Sequence, residues 1–249
     1  MPERVTGSQA VDRALSLLRL FDERTDELTI AQAAAQLGVH RSTASRFLSS
    51  LERHGLLEQH DGRYRLGLGL VSLAGLVLNR FPARAIARDV LLALRDEVDE
   101  TVYLGLLDDR EVVYIDQASR PGVTVNADWV GYRQPLTAGA SGFLLLAHQP
   151  QEVIDELVAK ANGDGPDLPS ELELAAIRRR GYLVRTSDSD DGGSAGAAAA
   201  VRDHRGTTVA ALSVWGPRHR VEPRLESEVV PAVLRAAARV SEGLGYRAA

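Results

Sequence analysis

Cysteine is absent from this 249-residue chain, which excludes disulfides, thiolate metal sites and a cysteine nucleophile and leaves the redox compartment open. Lysine is nearly absent: 28 of the 29 basic residues are Arg and Lys160 is the exception. That usage, with abundant Ala, reflects a high-GC genome and says nothing of chemistry. Long hydrophobic runs are missing too. The longest apolar-leaning run, Leu66–Leu78, spans 13 residues, short of the roughly 20 that cross a bilayer. The opening MPERVTGSQAVDRAL holds no apolar core of signal-peptide length. A cytoplasmic protein without membrane contact is expected. An apolar content of 45% and a charged content of 25% are ordinary for a globular chain, and the length suffices for two modest domains.

The net charge of −5 is unevenly placed. Residues 1–80 carry ten Arg against nine acids, whereas residues 81–249 carry 19 basic residues against 25 acidic ones. An acidic body with one locally basic end fits contact with a polyanion through that end alone.

The stretch GVHRSTASRFLSSLERHGLL, residues 38–57, is a helix by its apolar spacing at Ala44, Phe47, Leu48 and Leu51. Its other side carries Arg41, Ser42, Thr43, Ser45, Arg46, Ser49 and Ser50, where a merely solvated face favours Glu and Lys. Short hydroxyls let a helix approach bases and phosphates closely, and Arg forks onto guanine. Upstream, an amphipathic helix shows Val11, Leu15, Leu18 and Phe21 on one stripe, with Ser8 as its cap. A second, Ala-rich helix opens at Thr29 and stops at Gly38. Downstream, LLEQHDGRYRLG reads as two strands turning at Asp61-Gly62, with Arg63 and Arg65 on one face of the second. Helix, helix, turn, helix and hairpin make a winged helix-turn-helix whose last helix enters the major groove.

The remainder mixes helices and strands. Helices are expected over VLLALRDEVDE, PQEVIDELVAKA, LPSELELAAIRRRGY and EPRLESEVVPAVLRAAARVSEGLG, the last kinked or broken at Pro231. TVYLGLLDDREVVYIDQA reads as two strands around Asp108-Asp109, and TTVAALSVWGP as a buried strand. Asn162–Ser170 is a loop. The order implies an α+β architecture with helices covering a sheet. Leu66–Leu78 is apolar nearly all round, which suits a linker helix packed against a partner subunit. In QPLTAGASGFLLLAH small residues open an apolar helix near Ala140–His148, and free N–H groups there favour a carboxylate.

The segments SQAVDRALSLLRLF, LTIAQAAAQLGVHRSTASRFLSSLERHGLLEQHDGRYRLGLGLVSLAG and RGYLVRTSDSDDGGSAGAAAAVRDHRGTTVAALSVWGP together resemble the IclR family of bacterial transcriptional regulators, over about residues 8–245. The resemblance implies a winged helix-turn-helix over residues 8–67, a linker helix over 68–82 and a GAF-like effector-binding domain over 83–247. It further implies dimers or dimers of dimers, double-stranded DNA as a partner, and a small effector that bears a carboxylate or an aromatic ring. No cofactor and no metal are implied. The DNA-contacting set is Thr29, Arg41, Ser42, Thr43, Ser45, Arg46, Ser49, Arg63 and Arg65. The family's pocket maps to backbone at Ala140 and Ser141, to the strand ending near Gly196, and to the strand carrying Ser213 and Trp215. Tyr103, Trp129, Thr137, Thr186 and Ser194 complete the expected set.

Several positions depart from the family's pattern. Thr137 stands where His is usual, Phe143 for Lys, Ala200 for Pro, and Gly196 or Ala195 for a polar pocket residue. A pocket acid falls on Arg185 or Thr186, and a Ser on Trp215. Two outcomes follow: a flatter, aromatic effector, or a cavity that Trp215 fills.

Other functions meet obstacles in the sequence. GGSAG (Gly192–Gly196) matches the nucleophile-elbow pattern of serine hydrolases around Ser194, with Asp203, His204 and His219 downstream, but RTSDSDD before it is polar and loop-like where the elbow needs a strand. GLGLVS (Gly67–Ser72) lacks the third Gly of a dinucleotide fingerprint. His54 and His60 lack further ligands at metal spacing. A winged helix that binds protein rather than DNA is the remaining alternative, and salt dependence distinguishes the two.

Overall fold

The computed structural model describes residues 8–22, 25–120, 129–161, 168–188 and 192–247. The chain divides into two compact units, residues 1–80 and 81–249.

The first unit begins with α1 (Gln9–Leu18), β1 (Leu28–Thr29), α2 (Ile30–Leu37) and α3 (Arg41–Arg53). The wing strands β2 (Leu57–His60) and β3 (Arg63–Leu66) follow, and α4 (Gly69–Leu78) closes the unit. Thr29 caps α2 in a reciprocal box with Gln32, and Gly38 ends that helix in the left-handed conformation, as the residues predict. The wing turns at Asp61 (φ 47°) and Gly62 (φ 77°), the two left-handed residues of a type I′ hairpin. β1 pairs with β3, Leu28 opposite Tyr64, and completes a three-stranded sheet of order β1-β3-β2. Two residues are too short a run to read as a strand from sequence. Leu17, Ala33, Ala44, Leu48, Leu57 and Tyr64 form the core.

Two expectations about α1 are corrected. Ser8 sits at the cap position but its side chain accepts no hydrogen bond. The buried residue of α1 is Leu17, outside the expected stripe; of the stripe itself, Leu18 and Phe21 are half-buried, while Val11 and Leu15 remain more than half exposed. The core of so small a domain has room for one edge of the helix. In α4 no residue is buried, and Val71 and Leu76 are 65% and 66% exposed.

The second unit is a six-stranded, wholly antiparallel sheet of order β6-β5-β4-β9-β8-β7. Its strands are β4 (Thr101–Asp108), β5 (Glu111–Ala118), β6 (Arg133–Pro135), β7 (Tyr182–Ser187), β8 (Ser194–Arg202) and β9 (Thr208–Pro217). The helices are α5 (Pro82–Val98), α6 (Gly139–Leu146), α7 (Gln151–Ala161), α8 (Glu171–Arg180), the single turn α9 (Arg218–Val221) and α10 (Val230–Gly243). α5 and α10 pack on each other, α5 against β4 and β5 and α10 against β8 and β9, while α6 packs on β7, β8 and β9. Side chains alternate across a strand, so Ala198 and Ala211 join the α6 side. Their buried neighbours Ala197, Ala199, Ala210 and Leu212 point the other way.

Buried carboxylates tie the layers together. Asp116 on β5 accepts from Arg88 of α5 at 2.9 Å. Glu100, 2% exposed, accepts from Arg220 at 2.5 Å and lies 3.5 Å from Arg224.

Three readings change in this unit. Tyr182–Ser187 is a strand, although its second half is polar enough to read as loop. Gly196 stands three residues into β8 rather than at a strand's end. β8, SAGAAAAVR, hides its identity because alanine favours helix; here its small side chains let α10 and α6 lie close. The chain before α10 breaks upstream of Pro231, through a 3₁₀ turn at Glu222–Arg224 and a π turn at Leu225–Val229. Pro231 itself lies in the first turn of α10, where its missing N–H costs nothing. Most of the expected loop Asn162–Ser170 lies outside the described residues.

His148, just past α6, donates from Nδ1 to the Leu144 carbonyl at 2.8 Å, and its buried Nε2 has no partner among the described residues. Burial pushes its pKa down, and the charges of Arg202 and Arg178 add to this. Below about pH 6.5 the unfolded chain therefore takes up the proton first. Melting temperature should fall as pH drops from 7.5 to 5.5, and His148→Leu should flatten that slope.

Candidate functional site: nucleic-acid interface and ligand cavity

One residue every 100° around α3 places Ala44, Leu48 and Leu51 inward and Ser42, Arg46 and Ser49 outward. Arg41, Ser42 and Arg46 are exposed; Thr43, Ser45 and Ser49 are half-buried. Thr43 and Ser45 lie on opposite flanks of the helix, and Thr43, Arg46 and Ser50 border a groove with α1. His40 supplies the cap that sequence reasoning missed: its Nδ1 accepts from the Ser42 backbone N–H and lies 2.9 Å from the Ser42 hydroxyl. Thr29 has its hydroxyl engaged by Gln32, 2.8 Å to the amide oxygen, and caps the start of α2. The wing arginines are balanced within the domain. Arg65 pairs with Glu58 at 2.6 Å and Arg63 lies 3.7 Å from Glu27.

A cavity of about 410 Å³ opens in the second unit, within the range of small-molecule sites. β4 and β9 supply Tyr103, Ser213 and Trp215, and the first turn of α6 supplies Gly139, Ala140 and Ser141. Thr186 of β7 and Ser194 of β8 stand at the other side, and Trp129 closes the set. Trp215 is therefore a wall, and the cavity beside it is open. Two expected members do not line it. Thr137 lies before α6, half-buried and off the wall. Gly196 pairs with Trp215 across β8 and β9, and a Cβ there would overlap the indole ring and the Val214 carbonyl oxygen. Its role is to seat Trp215. Sequence reasoning missed Tyr114, Gln134 and Ser187, and reached Arg185 only as one of two positions for a pocket acid.

The walls differ in chemistry. Tyr103, Tyr114 and Trp129 form an aromatic cluster with ring centroids 5.4–5.7 Å apart. Burial, then the neighbouring Tyr114, pushes the Tyr103 pKa up to about 12, and burial raises Tyr114 as well. Both stay neutral hydroxyls at physiological pH. Tyr114 Oη donates to Gln134 Oε1 at 2.9 Å, and the Ser141 side chain partly offsets the rise in its pKa. The Ser213 hydroxyl, in a residue 5% exposed, has no hydrogen-bond partner among the described residues. No side chain caps α6, so its first N–H groups stand free at the cavity, at the positive end of the helix dipole.

Ser194 opens a strand, opposite Ser187 and Pro217, whereas an elbow serine ends one and begins a helix. Asp203 caps a turn by accepting from the backbone of Arg205 and Thr207. No cluster of metal-ligating side chains occurs among the described residues. No single helix there is long and apolar enough to cross a membrane.

A winged helix presenting an Arg/Ser face, together with a sheet domain that holds a ligand-sized cavity, defines a DNA-binding regulator that senses a small molecule. Residues 75–242 match the C-terminal domain of the bacterial transcriptional regulator IclR, and residues 10–61 match the IclR helix-turn-helix domain. The chain belongs to the IclR family of transcriptional regulators. It is 30% identical to the HTH-type transcriptional regulator XynR of Escherichia coli (strain K12), over 96% of this chain and 98% of that protein. Identity to the glycerol operon regulatory protein of Streptomyces coelicolor is 33%, over 95% and 96% of the two chains. Among solved structures, an IclR homologue from Microbacterium hydrocarbonoxydans complexed with 4-hydroxybenzoate is similar at TM-score 0.74 and 28% identity, over 94% of this chain and 98% of that one.

Proposed function

We propose that this regulator responds to a small aromatic acid bound in the cavity of the second unit. One observation carries the reading: the thirteen described lining residues include one cation, Arg185, four aromatic rings and no Asp, Glu, Lys or His. Such a wall favours a flat anion. The free N–H groups of α6 and the unpartnered Ser213 hydroxyl suit carboxylate and hydroxyl oxygens. The 4-hydroxybenzoate held by the Microbacterium homologue is of this class.

The DNA interface is Arg41, Ser42 and Arg46 in the major groove, flanked by Thr43, Ser45 and Ser49, with Arg63 and Arg65 on the wing. Thr29 orients α2 beneath them. The apolar surface left on α1 and α4 points to a homodimer, since a monomer gains nothing by exposing it. The protein works in the cytoplasm, where its operator lies. The winged domain spans residues 8–67, the linker helix 68–82 and the effector domain 83–247.

The chain's two tryptophans, Trp129 and Trp215, both line the cavity, so intrinsic emission reports its occupancy. Titration with 4-hydroxybenzoate and related aromatic acids should change that emission saturably. A flat response to the whole series would overturn the reading.

A further inference from the structure

Arg185 differs from most arginines of the second unit. Arg133, Arg218 and Arg220 each lie beside a carboxylate. Arg185 has no such partner among the described residues, although it lines the cavity. Glu173 feels its charge, but that carboxylate accepts from the Ser170 hydroxyl and backbone N–H at 2.7 and 2.8 Å in the cap of α8.

The guanidinium has a fixed seat instead. Its carbon lies 4.6 Å from the ring centroid of Phe143, a fully buried residue of α6. Stacking on a ring holds the guanidinium plane and leaves its edge donors free for a bidentate acceptor. Phe143 is one turn from the uncapped N–H groups at Gly139–Ser141, so two sources of positive potential converge on one part of the cavity. Across from it, Gly196 opposes Arg185 in the β7–β8 register and adds no side chain between Arg185 and Trp215.

We infer that Arg185 is the counter-ion of the effector's carboxylate and makes the site prefer an acid over a neutral ring of the same shape. The inference rests on the cavity being the effector site.

The test measures tryptophan emission and calorimetry with benzoate, phenylacetate and 4-hydroxybenzoate, each beside its amide. Wild type should bind acid over amide by about 10- to 100-fold, the worth of a charge-assisted hydrogen bond. Arg185→Gln, on a half-exposed position of an edge strand, should bring that ratio close to one while amide affinity changes little. Arg185→Lys keeps the charge but loses the fork, so it should retain an intermediate ratio. An unchanged ratio in Arg185→Gln, or a wild type that binds acids and amides equally, would overturn the role of Arg185 and leave the cavity reading standing. A wild type that binds none of the six compounds would overturn both.

Discussion

Changing Arg41 and Arg46 together to Ala should remove selective DNA binding while leaving the fold intact. Both side chains are exposed on α3 and neither is held by an ion pair among the described residues, so stability should change by less than about 0.5 kcal/mol. Each Arg at a guanine edge or phosphate is worth about 1–3 kcal/mol. The pair should therefore cost about 2–6 kcal/mol, roughly 30-fold to 10⁴-fold in affinity. The salt dependence should also flatten by about one unit of slope for each phosphate that is no longer neutralised. Arg63→Ala and Arg65→Ala should cost less, because Glu27 and Glu58 already balance those charges. Fluorescence anisotropy on labelled DNA at two salt concentrations measures all of this. Selective binding kept by the double variant would show that α3 is not the reading helix.

Gly196→Ala should damage both stability and ligand binding. In an ordinary strand the added methyl is favourable, since Gly weakens a strand by its entropy and its lack of packing. At this position the Cβ meets the Trp215 ring and the Val214 carbonyl of the paired strand. Either the strands part or the indole swings into the cavity. Overpacking of this kind costs about 1–3 kcal/mol, and a displaced Trp215 should weaken aromatic acids by about 2- to 10-fold, through the loss of well-packed aromatic stacking. Urea denaturation and emission titration read the two effects. A variant as stable as wild type, with unchanged affinity, would show that Trp215 is not seated by this glycine.

The winged domain is legible in the sequence because its signals are local and strong. Thr29 with Gln32, Gly38, and Asp61-Gly62 each impose a backbone conformation regardless of what packs around them. Partner choice is not local. The stripe on α1 announces an apolar face, yet the domain core takes in Leu17, beside that stripe, and leaves Val11 out. In the second domain β4, β5 and β9 declare themselves by bulky apolar runs. β8 does not, because alanines between two helical layers carry no strand signature. β7 does not, because its polar half serves the cavity. The cavity suffers most from this: Arg185 and Ser187 sit on a strand that reads as loop, and Gln134 on a three-residue strand. Gly196 belongs to the cavity, though as the seat of a wall residue rather than as a wall itself.

Occupancy of the cavity should change the affinity for DNA. Effector coupling of this kind is typically about 1–3 kcal/mol, or roughly 5- to 150-fold in affinity. The direct measurement is anisotropy of the full chain on DNA from upstream of its own gene, with random DNA as control, with and without a saturating aromatic acid that changes tryptophan emission. A shift in operator affinity of at least about fivefold, absent on random DNA and reduced in Gly196→Ala, is the predicted result. Selective DNA binding that the bound acid leaves unmoved would show that the cavity does not govern DNA binding.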